Sequence, residues 1–313
     1  MSVMVTGGTG FIGNRIIRML LDRGEEVVCF DLAPPRANLT PYLDRVKLYR
    51  GDVTQIPQLL EAINTHQVHK IIHMAALLPP DTEDRPHFGM LVNIQGTNNI
   101  FEVARWTNIQ RVVYASSIAV YGVQETFGDR PVNEDDLTAP INMYGMTKAT
   151  NDFAAAKYRA NYGLDIRGVR ICTVFGHGRV TGMTGMIGGL MMSLPAVGQP
   201  VSMDFHPQEA SPMIHAEDAA EIFVEVALKE QLNHPIYISG GHLATIQDVA
   251  DIVRSFIPGA QITTGDRPVP HVYLADNSRM LADIGYEMPP LRVRVLEHIN
   301  DARREAGLQP IAG

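Results

Sequence analysis

Tyr144-Gly145-Met146-Thr147-Lys148 sets a tyrosine and a lysine four residues apart. On a helix this is about one turn, so the two side chains share a face. The good helix formers that follow, over 149–159, support that geometry. A phenol ordinarily titrates at about pH 10. A neighbouring ammonium favours its anion, which makes Tyr144 a candidate general acid/base at neutral pH. Lys148 is the group expected to lower its pKa. Ser116-Ser117 closes a strand-like run that begins at Arg111. A hydroxyl there can hold a substrate oxygen and orient it toward Tyr144. Taken alone, Tyr-x-x-x-Lys is also the spacing of a surface helix pair, and two serines also suit a strand end.

A second constellation lies at the start of the chain. Gly7, Gly10 and Gly13 fall in the pattern G-x-x-G-x-x-G, after a short apolar run and before a helical pattern. The first glycine permits a tight turn, the second lets a pyrophosphate approach the backbone, and the third lets helix and strand pack closely. The helix N-terminus then offers free N–H groups and a positive dipole end to phosphates. Asp31 ends the next apolar run, where a carboxylate accepts ribose hydroxyls and repels a 2′-phosphate. That favours NAD over NADP, with Arg36 weighing the other way. Asp52 and Val53 follow a third run and are placed to hold adenine by a polar and an apolar contact. His73 precedes Met74-Ala75-Ala76 inside an apolar run and reads as structural, while the small residues after it let a ligand lie against the backbone.

Short strand-like runs at 3–5, 26–30, 46–49, 70–74 and 111–115 alternate with helical patterns at 14–22, 58–64 and 93–105. This alternation implies βαβ units around a parallel sheet. A further strand is expected over 167–174, then a loop-rich stretch of glycine, methionine, proline and histidine over 176–215. Helices follow at 215–228, at 245–256 with a Thr cap, and at 292–306, with a strand at 235–239. At 313 residues and 45% hydrophobic, the chain can bury a sizeable core. Its 34 acidic and 26 basic residues leave a net charge of −8, against nucleic-acid or anionic-membrane binding. Two cysteines, Cys29 and Cys172, exclude a disulfide framework and fit a reducing, cytoplasmic setting. No apolar run is long enough for a membrane span. The opening residues enter a strand rather than a signal peptide, and no metal-ligand pattern stands out.

Together these motifs make the sequence resemble the extended short-chain dehydrogenase/reductase superfamily, the NAD-dependent epimerase/dehydratases. The matching elements are TGGTGFIG at 6–13, Asp31, Gly51-Asp52-Val53, His73-Met74-Ala75-Ala76, and the run from Asn93 to Asn99. They continue with Ser116 to Gly122, Tyr144 to Lys148, and weaker matches at Ile214 to Asp218 and Tyr237 to Gly241. The resemblance implies an α/β Rossmann fold, a doubly wound parallel sheet, with a smaller C-terminal substrate-binding lobe. The nucleotide lobe would cover 1–170 plus about 215–240, and the substrate lobe about 171–214 and 241–313. Ser117, Tyr144 and Lys148 would carry the chemistry. Phe11, Ile12, Asp31, Asp52, Val53, Met74 to Leu78, Asn93, Tyr144, Lys148 and Cys172 would line the dinucleotide. Many relatives dimerise through two helices, here 93–105 and 144–159, so a homodimer is expected.

Three departures bear on substrate. Nucleotide-sugar members usually carry Asn where this chain has Thr173, and Arg where it has Ser211. Ile118-Ala119 replaces the Asp-Glu pair of dehydratases, which argues against a sugar 4,6-dehydratase. Between Gly176 and His215 the only basic side chain besides histidine is Arg179, with Arg267 further on. A diphosphate needs charge-assisted donors, so a small or less anionic substrate is expected, contacted by Ser117, Thr173, His177 and Met183, with His206 a further candidate. The glycine- and methionine-rich run 181–192 suits either a substrate-covering lid or a core helix. The leading expectation is reversible hydride transfer between NAD and a secondary alcohol of a small, sugar-like molecule. An epimerase using the same residues is the alternative, and a non-enzymatic dinucleotide sensor the second.

Overall fold

The computed structural model describes residues 1–35, 37–180 and 182–313, so Arg36 and Thr181 lie outside the described residues. In the first half the elements run β1 (Ser2–Thr6), α1 (Gly13–Asp22), β2 (Glu26–Asp31), β3 (Val46–Arg50), α2 (Ile56–Thr65), β4 (Lys70–His73), α3 (Asp81–Asp84), α4 (Pro86–Met90), α5 (Thr97–Trp106), β5 (Arg111–Ser117) and α6 (Met143–Tyr162). The second half contains β6 (Ile166–Ile171), β7 (Thr173–Phe175), α7 (Gly182–Gly185), α8 (Met191–Ala196), β8 (Val201–Ser202), β9 (Ala210–His215), α9 (Ala216–Leu228), β10 (Ile236–Ile238), β11 (His242–Thr245), α10 (Ile246–Phe256), β12 (Ile262–Thr263), α11 (Ser278–Ile284) and α12 (Leu291–Glu305).

Seven strands form one parallel sheet in the order β10-β6-β5-β4-β1-β2-β3. Every residue of β1 is buried, as a parallel strand covered on both faces requires. Val3 and Val5 enter the core shared with α1 and α9, while Met4 enters the core beneath α2, α5 and α6. The strand order reverses between β1 and β4, which opens a crevice at the carboxyl edge between the loops that leave these two strands.

The strand expected over 167–174 breaks at Cys172. Its first part is β6 in the large sheet, and its second is β7, which pairs with β9 in a separate three-stranded sheet. This break carries the chain from one core to another. The second core gathers Phe175, Ile187, Met191, Met192, Met213, Val249 and Val295. Met191 and Met192 are fully buried there, so most of the run expected as a lid is core helix; only the turn α7 presents an apolar side chain, Met183, 39% exposed. Val272, Met280 and Ile284 pack into the larger core, so part of 241–313 covers the main sheet rather than building the smaller lobe. The expected Thr cap forms as a full capping box, Thr245 with Asp248, at the start of α10. Among the described residues no helix is long and apolar enough to cross a membrane.

Candidate active site

The glycine turn is shaped by close backbone approach. Gly7 has a φ of +66°, and a Cβ on it would lie 2.7 Å from the Ala75 nitrogen in the loop after β4. A Cβ on Gly13 would lie 2.2 Å from the Gly7 carbonyl oxygen, so only glycine lets α1 start this close to the turn. Gly10 donates to the Gly7 carbonyl at 3.0 Å. No side chain caps α1, and among the described residues the N–H groups of Phe11, Ile12 and Gly13 take no hydrogen-bond partner. Unpartnered donors at a helix N-terminus are what a diphosphate requires.

At the far end of the crevice, Asp31 Oδ2 accepts from the Thr9 backbone N–H at 3.0 Å and its hydroxyl at 2.8 Å, and Oδ1 accepts from Ala33 N–H at 3.0 Å. The carboxylate is held in place with acceptor capacity left for ribose hydroxyls. It borders a cavity of about 500 Å³ lined by Thr9, Cys29, Asp31, Pro34, Tyr49 and Arg50, large enough for an adenosine-sized group. Met74, Ala75, Ala76 and Leu78 are half-buried on the β4 side. Asp52 Oδ1 accepts from Thr54 N–H at 2.8 Å, and Val53 is buried against Gly96. These residues fit a dinucleotide.

Two residues expected to touch the dinucleotide have other work. Asn93 is fully buried in a π-helical turn, Leu91–Gly96. Its Oδ1 accepts from Leu77 N–H at 2.7 Å, and its Nδ2 donates to the Leu77 carbonyl at 3.0 Å and to Thr147 Oγ1 at 3.2 Å. With both ends of the amide engaged, it fixes the loop after β4 rather than reaching a ligand. Cys172 sits in the larger core, its N–H bonded to Ser239 Oγ at 3.0 Å, and burial pushes its thiol up to about 12. His73 is structural: its ring nitrogens meet Thr6 Oγ1 at 2.6 Å and Thr97 Oγ1 at 3.0 Å.

Ser117, Tyr144 and Lys148 come together at the carboxyl edge of the sheet. Ser117 ends β5, and its Oγ accepts from Ala119 N–H at 3.1 Å, which fixes the hydroxyl. Asn142 caps α6 by accepting from Gly145 N–H at 2.8 Å, so Tyr144 and Lys148 fall in the first turns of a 20-residue helix. Lys148 Nζ lies 5.6 Å from the centre of the Tyr144 ring and donates to the Ala115 carbonyl at 2.7 Å. Burial lowers Lys148 to about 8, partly opposed by the charge of Asp152 one turn further along the helix. Burial raises the Tyr144 pKa; the nearby Ser117 hydroxyl and then the charge of Arg179 oppose that rise without cancelling it. Lys148 Nζ is the ammonium beside the Tyr144 ring, and Arg179 is a second cation whose charge favours the phenolate.

Arg179, singled out in the sequence as the one basic side chain besides histidine in its run but not assigned to the site, is half-buried after β7, with Nη2 donating to Thr184 Oγ1 at 2.6 Å. Thr173 is half-buried at the start of β7, opposite Met213. His177 is turned away from the crevice: Nδ1 meets Ser193 Oγ at 3.2 Å and Nε2 pairs with Glu305 of α12, leaving no nitrogen free for a substrate. His206 is exposed, its Nδ1 accepting from Gln208 N–H at 3.2 Å. Ser211, where an arginine was missing, bonds His271 at 2.9 Å.

An open parallel sheet with a glycine turn at its switch point defines the class of dinucleotide-binding α/β proteins. Within that class, the chain belongs to the NAD dependent epimerase/dehydratase family, whose model matches residues 3–238. It is 31% identical over 189 residues to D-erythronate dehydrogenase of Cupriavidus necator, 56% of this chain and 55% of that protein. It is 34% identical over 151 residues to UDP-glucose 4-epimerase of Halalkalibacterium halodurans, 47% of this chain and 43% of that one. The matches span about half the length of these relatives. Among solved structures, Thermus thermophilus UDP-glucose 4-epimerase in complex with NAD superposes with a TM-score of 0.86 at 23% identity, covering 97% of this chain and 99% of that one. L-threonine dehydrogenase from Cupriavidus necator gives 0.84 at 22% identity, covering 96% and 99%. Both share the fold.

Proposed function

We propose that this protein is an NAD-dependent dehydrogenase acting on the secondary alcohol of a small molecule, and that the smaller lobe binds that substrate. The observation that carries the reading is the convergence of Ser117, Tyr144 and Lys148 beside an unpartnered phosphate cradle. When bound, NAD accepts the hydride of the carbinol carbon, so alcohol and NAD become ketone, NADH and a proton. Tyr144 removes the hydroxyl proton as its phenolate and holds it on Oη. Ser117 hydrogen-bonds the substrate oxygen as it becomes a carbonyl. Lys148 keeps a positive charge beneath the tyrosine and reaches the ribose. Phe11, Ile12 and Gly13 bind the diphosphate through backbone N–H groups, and Asp31 the adenosine ribose. Met183 and Thr173 border the substrate from the smaller lobe.

An epimerase would use the same three residues and return the hydride to the opposite face of the ketone. The names of several relatives favour it. The engagement of Ser211 by His271, in place of a diphosphate-binding arginine, favours the dehydrogenase. Net NADH formation, followed by absorbance with a panel of secondary alcohols, separates the two. Tyr144→Phe lowers that rate by about two orders of magnitude or more; full rate in the variant overturns the assignment. We also propose a homodimer through α5 and α6, and a cytoplasmic location, supported by two free and buried cysteines.

A further inference from the structure

The buried arginines of this protein and the half-buried Arg294 each face a carboxylate: Arg15 pairs with Glu217, Arg111 with Asp165, Arg170 with Asp152 and Arg294 with Asp218. Arg179 does not. Among the described residues no carboxylate lies within ion-pair distance of it, its Nε is fully buried with no partner, and its one side-chain bond is from Nη2 to Thr184 Oγ1 at 2.6 Å. A half-buried guanidinium with no carboxylate beside it and a fully buried, unpartnered Nε is unfavourable unless an anion arrives to meet it.

The side chain is also held in place. Its backbone follows two glycines in the left-handed region, Gly176 and Gly178, and its N–H bonds the Gly176 carbonyl at 3.3 Å. Its own carbonyl rests on Gly189, where a Cβ would come within 1.8 Å. The guanidinium carbon lies 5.9 Å from the centre of the Phe11 ring, within the glycine turn. Its charge reaches Tyr144, and the charge of Tyr144 reaches it. The donors therefore stand beside Phe11 of the glycine turn, and the mutual influence of the Arg179 and Tyr144 charges is consistent with both facing the same crevice.

We propose that Arg179 is an oxyanion subsite, and that its Nε and Nη donors take the carboxylate of a substrate whose secondary alcohol is presented to Tyr144. This rests on the reading of Tyr144 as the acid/base. A guanidinium takes a carboxylate by two parallel hydrogen bonds, so the substrate class is a hydroxy acid, and the same fork fixes which carbinol faces the phenol. A phosphate offers the same chemistry, and the dinucleotide's diphosphate is the other source of one. The free N–H groups of Phe11, Ile12 and Gly13 already provide for that diphosphate, which is why the fork is assigned to substrate.

The test uses the full chain with NAD, a panel of hydroxy carboxylates of three to six carbons, and their amides. Acids are expected to exceed the matching amides in kcat/KM by about 100-fold, a difference that Arg179→Gln abolishes chiefly through KM. Arg179→Lys restores only part of it, since an ammonium lacks the fork. The NADH Kd, read by its fluorescence, stays within about twofold. Carboxylates without a hydroxyl raise the Tm of the NAD-loaded wild type and not of Arg179→Gln. Equal use of acids and amides, equal loss of both in Arg179→Gln, or no Tm shift overturns the proposal. A tenfold weaker NADH Kd in Arg179→Gln also overturns it and assigns the fork to the dinucleotide. Full rate in Tyr144→Phe with the acid preference intact would instead defeat the acid/base reading and leave the subsite standing.

Discussion

Lys148 donates to the Ala115 carbonyl at 2.7 Å, so the ammonium is tied to the strand that ends in Ser117 as well as lying below Tyr144. Burial brings this lysine down to about 8, so its charge is present below that pH and is lost as pH rises through it. The expected outcome is an alkaline fall in kcat/KM with an apparent pKa of about 8. Lys148→Met should lower kcat/KM by about two orders of magnitude and remove that limb. A wild-type profile that keeps climbing to high pH would show that the charged lysine is not required.

Asp31 is fixed by three hydrogen bonds, two from Thr9 and one from Ala33, before any ligand arrives. That pre-organisation supports the proposed role of its charge as a selector at the ribose. Asp31→Asn keeps the shape and removes the charge. Fluorescence titration should give an NADH Kd raised by about tenfold and an NADPH Kd unchanged or improved. Wild-type protein binding NADPH as tightly as NADH would contradict the selection.

The glycine turn and the Tyr144–Lys148 pair were legible in sequence because each is a local device: a backbone that admits no Cβ, and two side chains one helical turn apart. Asp31 was legible because a parallel strand delivers its last residue to the crevice. Properties set by distant partners were not legible. The direction taken by His177 depends on Glu305 in the last helix. Asn93 was expected at the ligand because nothing local reveals that Leu77 and Thr147 use up its amide. Nor does the run around Cys172 show that the chain changes sheets there, since β6 and β7 are apolar alike.

The outer faces of α5 and α6 leave apolar side chains in water. Phe153 of α6 is 66% exposed, and Trp106 at the end of α5 and Tyr162 at the end of α6, both beside Arg105, are exposed as well. Isolated surface apolar residues are ordinary; exposed aromatic side chains on both helices support the proposed homodimer. Light scattering after gel filtration at about 10 μM should return twice the chain mass. Phe153→Glu should return a monomer with the fold intact by circular dichroism. A wild-type monomer would remove the dimer.

His73 is enclosed by Thr6 and Thr97, and burial, reinforced by the charge of Lys148, lowers it to about 3. An unfolded histidine takes a proton at about pH 6.5. Below that pH the unfolded chain binds a proton that the folded chain refuses, so stability falls as pH drops from about 6.5 toward 3, at up to about 1.4 kcal/mol per unit for this one group. His215, also lowered to about 3 by burial, adds a parallel contribution. His73→Gln should lower stability at pH 7 through lost packing, so the level is not the readout. The slope is: urea unfolding at several pH values between 6 and 4 should show it reduced in the variant by about 1 kcal/mol per unit. An unchanged slope would mean that His73 takes its proton in the folded state, and that the enclosure seen between β1, β4 and α5 opens in acid.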